Sequence, residues 1–330
     1  MTVQAGLPRW RGFHLLNMFH PKSDGEWRED DFRWICEFGF NFVAFPVCFT
    51  LWVEENDPYR LYEPGLQKLD RAVQLALEYD LNPCINIHTA PGYDVNRFVE
   101  FPYSLWKDEA ALDAFCFQWT TLAERYHDFP AEKLSFHLLN EPPHLGEDVS
   151  EEEYERAMRA ATEAIRKVSP DRVILCDGPG YRARPSPRLV DLGIVQCCGG
   201  YWPMGISHYM ASWVGGENYP PPVWPGYVQD GKKWDRAALD EHYQPFIHLR
   251  DQGIGVLCFE TGCHNKTPHE VALAWFRDVL SVLTSHGIGY VLWSFRGAFG
   301  IIDSGREDVE YEGFHGHQLD REMLSLLQEF

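Results

Sequence analysis

Residues 134–144 read LSFHLLNEPPH. Leu134, Phe136, Leu138 and Leu139 make a short apolar run of the kind that forms a buried strand, and Pro142-Pro143 forbid any continuation of its ladder. Between the run and the prolines stands a polar pair, Asn140-Glu141. A carboxylate at the rim of a core strand is either an ordinary surface group or the group the strand exists to hold. The rest of the chain decides between the two.

Working outward, the same kind of segment recurs. RGFHLL from 11, NFVAFPV from 41, PCINIH from 83, RVILC from 172, GIVQCC from 193, IGVLCFE from 254 and IGYVLWS from 288 are short and rich in Val, Ile, Leu and Phe. That composition suits strands buried on both faces. Amphipathic segments lie between them. In 268–287, Ala272, Trp275, Phe276, Val279, Leu280 and Leu283 repeat at helical spacing. Thr267 and Glu270 give that helix a capping box, Pro268 sits at its first position and Gly287 ends it. The segment 150–168 starts in the same way, with Ser150 and Glu153, three acids in its first turn and basic residues near its end. With 134–140 the strands number eight, alternating with helices, which is the count of a single-domain (β/α)8 TIM barrel over residues 1–330. A doubly wound sheet is the competing architecture, but no G-x-G-x-x-G follows any strand.

Composition narrows the partners. An apolar fraction of 45% supports a large core, and a formal charge of −20 argues against nucleic acid and anionic membranes, both of which attract basic patches. The opening MTVQAGLPRWRGF holds no apolar stretch of secretory length, and no later segment is long enough to span a bilayer. A cytoplasmic, non-membrane protein acting on a neutral partner is the expectation. Nine cysteines is an odd number, and most fall in strand-like runs, as packed reduced thiols do. No C-x2-C pair has zinc spacing. Cys197-Cys198 and Cys263-His264 are the nearest approach to metal ligands, and neither metal nor cofactor is expected.

In a barrel of this type, residues at the carboxyl ends of the strands line the active site. Those ends carry His88 after the third strand, Glu141 after the fourth, Tyr201 and Trp202 after the sixth, Glu260 at the seventh and Trp293 at the eighth. Two carboxylates facing each other across one bowl are what cleavage of a glycosidic bond needs. One protonates the leaving oxygen, and the other meets the developing oxocarbenium ion directly or through an activated water. The stretch from Gly199 to Asp235 is long, rich in Gly and Pro, and carries Trp202, Trp213, Trp224 and Trp234. Flat indole faces suit pyranose rings, although roughly half of them are expected to pin this loop to the barrel.

The chain resembles glycoside hydrolase family 5, the cellulase family, in the clan of barrel glycosidases with catalytic glutamates on strands four and seven. The landmarks are RWRGFHLL, GFNFVAFP, IHTAPGY, LLNEPP, GYWPMGISHY, the Glu260 strand and VLWSFRGAFGIID. The resemblance implies a retaining β-glycosidase, of endo-β-glucanase or β-mannanase type, acting on an oligo- or polysaccharide. It implies Glu141 as acid/base and Glu260 as nucleophile. Asn140 would bond the sugar 2-hydroxyl or the nucleophile region, and His88 would bind the sugar at the cleavage site. Tyr201 would support Glu260 and Trp293 would form the apolar floor, with Trp202 and His208 as further substrate-binding candidates.

Four positions depart from the family pattern. Ala44 stands where an arginine usually supports the nucleophile, and Gly199 where a histidine or arginine is usual. Phe259 replaces a small residue before the nucleophile, and Thr89 replaces the arginine of H-R-A-P-G-Y. Loss of a cation is expected to raise the pKa of Glu260 and move any activity optimum upward. The alternative reading is therefore a barrel whose pocket has been remodelled to bind or transform a non-glycan ligand. His14, His137, Cys197, Cys198, Cys263 and His264 would be its reactive groups, with buried hydrogen-bonded roles for His14 and His137 as the plainer expectation.

Overall fold

The computed structural model describes residues 7–146 and 148–330. Residues 1–6 of the opening stretch and Glu147, within the loop after the Glu141 strand, lie outside the described residues. Among the described residues, eight parallel strands form the barrel: β1 Arg11–His14, β2 Phe42–Cys48, β3 Asn82–Ala90, β4 Ser135–His137, β5 Val173–Asp177, β6 Val195–Gly200, β7 Val256–Thr261 and β8 Gly289–Leu292. Each pairs with the next, and β8 pairs with β1 to close the ring. The helices are α1 Glu29–Glu37, α2 Glu63–Glu78, α3 Glu109–Arg125, α4 Glu151–Val168, α5 Met204–Ser207, α6 Arg236–Asp251, α7 His269–Ser285 and α8 Arg321–Glu329. None of them is long and apolar enough to cross a membrane.

The alternation breaks once. Between β5 and β6 there is only a 3-10 helix, Pro187–Leu192, because the connecting PGYRARPSPRL carries three prolines where an α-helix would need donors. The first part of this connection, through Arg182, turns in over the barrel mouth, and the 3-10 helix then packs on α4, where Arg159 bonds Asp191 and the Arg188 carbonyl. The 201–235 excursion, read from sequence as one long loop, contains α5, two 3-10 turns and a hairpin pairing Tyr227–Gln229 with Lys232–Trp234.

Side chains alternate between two apolar layers. Phe13, Val43, Phe45, Ile85, Phe136, Ile174, Cys198 and Cys258 point outward into the helix-packed layer. Phe42, Ala44, Cys84, Val173, Leu175, Val195, Cys197, Leu257, Phe259 and Val291 fill the inside of the barrel. The vicinal Cys197 and Cys198 therefore face opposite sides of one strand and cannot grip one ion. All nine thiols are free.

The two helix starts read as capping boxes behave differently. Ser150 accepts from the Glu153 amide while the Glu153 carboxylate accepts from the Ser150 amide, so that box is complete. Thr267 does not cap α7, because its buried hydroxyl donates to the Ile206 carbonyl at 2.6 Å. The amide of His269 is met by Asp308 at 2.7 Å. Arg172, read only as the start of a strand, is buried and donates to the carbonyls of Tyr126, Phe129, Pro130 and Leu134, tying the turn after α3 to β4 and β5.

Two stability measurements test these contacts. Ser150→Ala removes a cap and should lower the free energy of unfolding by about 1 kcal/mol. Arg172→Met strands four carbonyls, those of Tyr126 and Leu134 buried, and should cost about 3 kcal/mol. Urea unfolding of both variants beside the parent checks the order.

Candidate active site

Glu141 is placed by the end of β4 and by the turn beyond it. Its backbone is left-handed, with φ of 46°, a conformation unusual for a non-glycine residue and associated with functional sites. The Glu141 amide donates to Asp177 at 2.8 Å, and its carbonyl accepts from the Tyr93 hydroxyl at 2.5 Å. The prolines that end the strand serve through their carbonyls: Pro142 accepts from the Tyr181 amide and Pro143 from the Gly180 amide, both at 2.9 Å. The loop after β5 is thereby laced to the loop that carries Glu141.

Glu260 is re-aimed by an irregularity in β7. Strict alternation would put Glu260 on the outward face with Cys258. The register slips between Cys258 and Glu260 in the pairing with β6, as in a β-bulge, so Phe259 and Glu260 both reach the inner side. Phe259 lies flat against His137, with ring centroids 4.0 Å apart and planes 5° from parallel. Its carbonyl bonds Nε2 of His14 at 2.7 Å.

The group that joins the two glutamates is one that the sequence motifs do not single out. Arg182 lies five residues past the end of β5, with φ of 65°, and its side chain is fully buried. Its Nε donates to Asp177 at 2.6 Å, Nη1 to Glu141 at 3.1 Å and Nη2 to Glu260 at 2.5 Å. Nη2 also donates to Oδ1 of Asn140. Tyr201 donates to the other oxygen of Glu260 at 3.1 Å. The cation expected from strand two and absent at Ala44 thus enters from the opposite side of the bowl. The local signal for it was an Asp at a strand end followed by Gly-Pro-Gly and then an Arg, which reads as an ordinary turn.

A chain of polar contacts runs beneath this cluster. Asn86 donates through Nδ2 to Nδ1 of His137 at 2.6 Å, which leaves the His137 proton on Nε2 to bond Asp177 at 2.7 Å. Oδ1 of Asn86 accepts from Nδ1 of His88 at 3.2 Å. The single lone pair on Nε2 of His88 is then shared between the amide groups of Asn140 at 3.1 Å and Asn96 at 2.9 Å. With Asn140 oriented in this way, its carbonyl oxygen is the atom facing Arg182. This assignment is consistent across every contact in the chain. His137, Asp177 and Cys197 lie close enough to hold an ion among the described residues. His137 and Asp177 are already committed to hydrogen bonds, however, burial holds the Cys197 thiol in its neutral form, and a cation there would sit beside Arg182.

The electrostatics separate the carboxylates. Burial pushes Glu141 up to about 8, with Arg182 opposing the rise and the neighbouring Glu260 charge adding to it. Burial raises Glu260 as well, against the pull of Arg182 and of its hydrogen bonds. Asp177 is desolvated too, but Arg182 and His137 outweigh that and hold it below the usual carboxylate range. Burial keeps His88 well below its ordinary value and takes His14 to about 3, so both rings are neutral. Three carboxylates sharing one guanidinium leave a proton for one of them, and Glu141 is the one that keeps it.

The remaining candidates divide. Trp293 stacks on His88 with centroids 5.6 Å apart and abuts His14 and Phe19, which makes a wall beside the glutamates. His208 stands one layer back, against the ring of Tyr201 at 4.8 Å, with Nδ1 bonded to Ser207. Trp202 is turned away from the bowl, stacked on Trp234 and packed beside His242. Trp224 is fastened to Asp278 at 2.9 Å. Of the four indoles in this excursion, Trp213 is the exposed one at the rim, at 62%. Cys263 and His264 bond the carbonyls of Ile206 and Tyr209.

Comparison with known proteins agrees with the barrel. The family Cellulase (glycosyl hydrolase family 5) matches residues 8–298. Endoglucanase C of Acetivibrio thermocellus is 27% identical over 312 residues, 86% of this chain and 88% of its own. Cellodextrinase A of Ruminococcus flavefaciens is 24% identical over 269 residues, 79% of this chain and 76% of its own. A solved structure described as a glycoside hydrolase superposes with a TM-score of 0.92 at 36% identity, covering 98% of this chain and 99% of its own. The structure of Thermotoga maritima Cel5A in complex with mannotriose has the same fold, with a TM-score of 0.77 at 21% identity over 97% of both chains. The chain belongs to glycosyl hydrolase family 5.

Proposed function

We propose that this glycoside hydrolase is a retaining β-glycosidase of the endo-β-glucanase or β-mannanase type, with Glu141 as acid/base and Glu260 as nucleophile. The observation that carries the reading is that both carboxylates bond one guanidinium, through its two terminal nitrogens. A retaining pair stands about 5–5.5 Å apart, whereas an inverting pair needs room for a water between its members. Two oxygens bonded to the same small planar cation favour the close spacing.

The chemistry follows from the protonation states. Protonated Glu141 delivers its proton to the leaving oxygen while ionised Glu260 attacks the anomeric carbon, giving a glycosyl ester. Water then displaces Glu260 with Glu141 acting as base. Trp293 offers an apolar face to the sugar ring, and Asn140 and His88 offer polar edges. Substrate preference between glucan and mannan is drawn from relatives named as endoglucanases and a cellodextrinase, and aryl β-cellobioside is the first substrate to try. The remodelled-pocket alternative loses its main support, since the missing strand-two cation was its starting point and Arg182 supplies one.

Turnover of aryl β-cellobioside and aryl β-mannoside is the direct test. Glu260→Ala should abolish it, and Glu141→Ala should lower kcat on a poor leaving group by roughly 10²–10⁴-fold. Proton NMR of the first-formed sugar should show the β-anomer, and an α-anomer would exclude double displacement. The pH dependence has a defined sign. Glu141 works protonated, so kcat/KM should fall as pH rises through about 8. Glu260 works ionised, so kcat/KM should also fall at low pH, from a point above the ordinary glutamate value.

A further inference from the structure

Two departures from the family pattern, Gly199 and Phe259, meet at one side chain, Arg182. A Cβ on Gly199 would stand 3.5 Å from the Cβ of Arg182 and 4.0 Å from its Cδ, in contact with it, so the glycine leaves the arginine's stem room beside β6. Phe259 lies below the guanidinium, whose carbon is 6.0 Å from the ring centroid. Ala44 shares the inner apolar layer with Phe259, which fills the barrel beneath Glu260. The space beside Glu260 thus receives its cation from the β5 loop. That loop is built to deliver it: Gly180, Tyr181 and Arg182 have φ of 71°, 58° and 65° in succession. Asp177, oriented by His137, holds Nε and so fixes the plane of the fork.

Resting on the glycosidase reading above, we infer that Arg182 is the shared positioning residue of both chemical steps, acting as the common counter-ion of nucleophile and acid/base. In the first step a bond forms between a Glu260 oxygen and the anomeric carbon. The bond from that carbon to the leaving oxygen breaks, and the Glu141 proton moves to the leaving group. Glu260 is then a neutral ester, and the guanidinium has lost one of its anions. Glu141, now a carboxylate, already bonds Nη1 and takes up the counter-charge without any atom of the fork having to move. In the second step a water proton passes to Glu141, the water oxygen bonds the anomeric carbon, and the ester bond breaks to return the Glu260 carboxylate. The guanidinium then has its first partner back. A Lys, a point donor, cannot serve three acceptors in one plane.

The ionisable groups facing this fork are His14 from β1, His88 from β3, Tyr93 from the turn after β3, His137 from β4 and Glu141 just beyond it, Asp177 from β5, Cys197 from β6 and Tyr201 just beyond it, and Glu260 from β7. Arg182→Met and Arg182→Lys test the inference in the full-length protein. Active sites are counted by stoichiometric trapping with a 2-deoxy-2-fluoro aryl β-cellobioside, and rates are expressed per trapped site. With a dinitrophenyl β-cellobioside, for which breakdown of the ester is the slow step, Arg182→Met should lower kcat at least 100-fold. KM should change less than kcat, and both limbs of the pH profile should move upward, because a cation that favoured both anions is gone. Arg182→Lys should return the limbs toward the parent positions while leaving the rate depressed. Per-site rates within threefold of the parent, with unmoved limbs, would overturn the inference and leave the glycosidase reading intact. A parent protein that neither turns over nor is trapped would overturn both.

Discussion

One fully buried guanidinium governs this site. Arg182 touches Asp177, Glu141, Glu260 and Asn140, which come from β4, β5 and β7, and no other cation reaches these carboxylates among the described residues. In a low-dielectric pocket, three acids with one base cannot all be ionised. In the proposed reaction, the proton that remains makes one glutamate an acid while its neighbour stays a nucleophile. The polar chain from Asn86 through His137 to Asp177 gives the guanidinium its orientation, and the neutral His88 gives Asn140 its own. Removing any link would loosen an ion whose placement sets both protonation states.

Local sequence carried the frame well. Short apolar runs marked the eight strands, and the chemistry of strand ends then pointed to Glu141 and Glu260 with few competitors. What it did not carry is whatever depends on a turn closing over the mouth. Arg182 sits in GPGYRARP, a stretch whose residue types are those of any surface turn. Only the left-handed run from Gly180 to Arg182 directs that side chain inward, and only the carbonyls of Pro142 and Pro143 hold the run there. The slip in β7 was equally hidden, since alternation alone assigns Glu260 to the wrong face. Ala44 brings no cation from β2, but a cation's position in space is free to be filled from another strand.

The same limit explains the smaller mismatches. Thr267 has the residue type of a cap, yet its hydroxyl is drawn to the Ile206 carbonyl by the fold of the β6 excursion. Trp202 stands one residue past Tyr201 and on sequence shares its setting, but the chain turns between them and sends the indole to Trp234. Capping and aromatic signals are local, and each was overruled by a partner far along the chain.

The lacing of Pro142 and Pro143 to Tyr181 and Gly180 has a consequence for how this enzyme can diversify. The two turns behave as one mechanical part, so a length change in either would shift Glu141 and Arg182 together. The stretch from Trp202 to Trp234 is tied to the helical shell through Trp275, Asp278 and His242 and shares no such fastening with the acid/base turn among the described residues. Beyond Ser207 and His208, which hold Tyr201 against Glu260, insertions and exchanges there touch no member of the charge cluster among the described residues. That places the adjustable part of the protein on the far wall of the bowl, around the exposed Trp213, and the mechanically coupled turns on the near one.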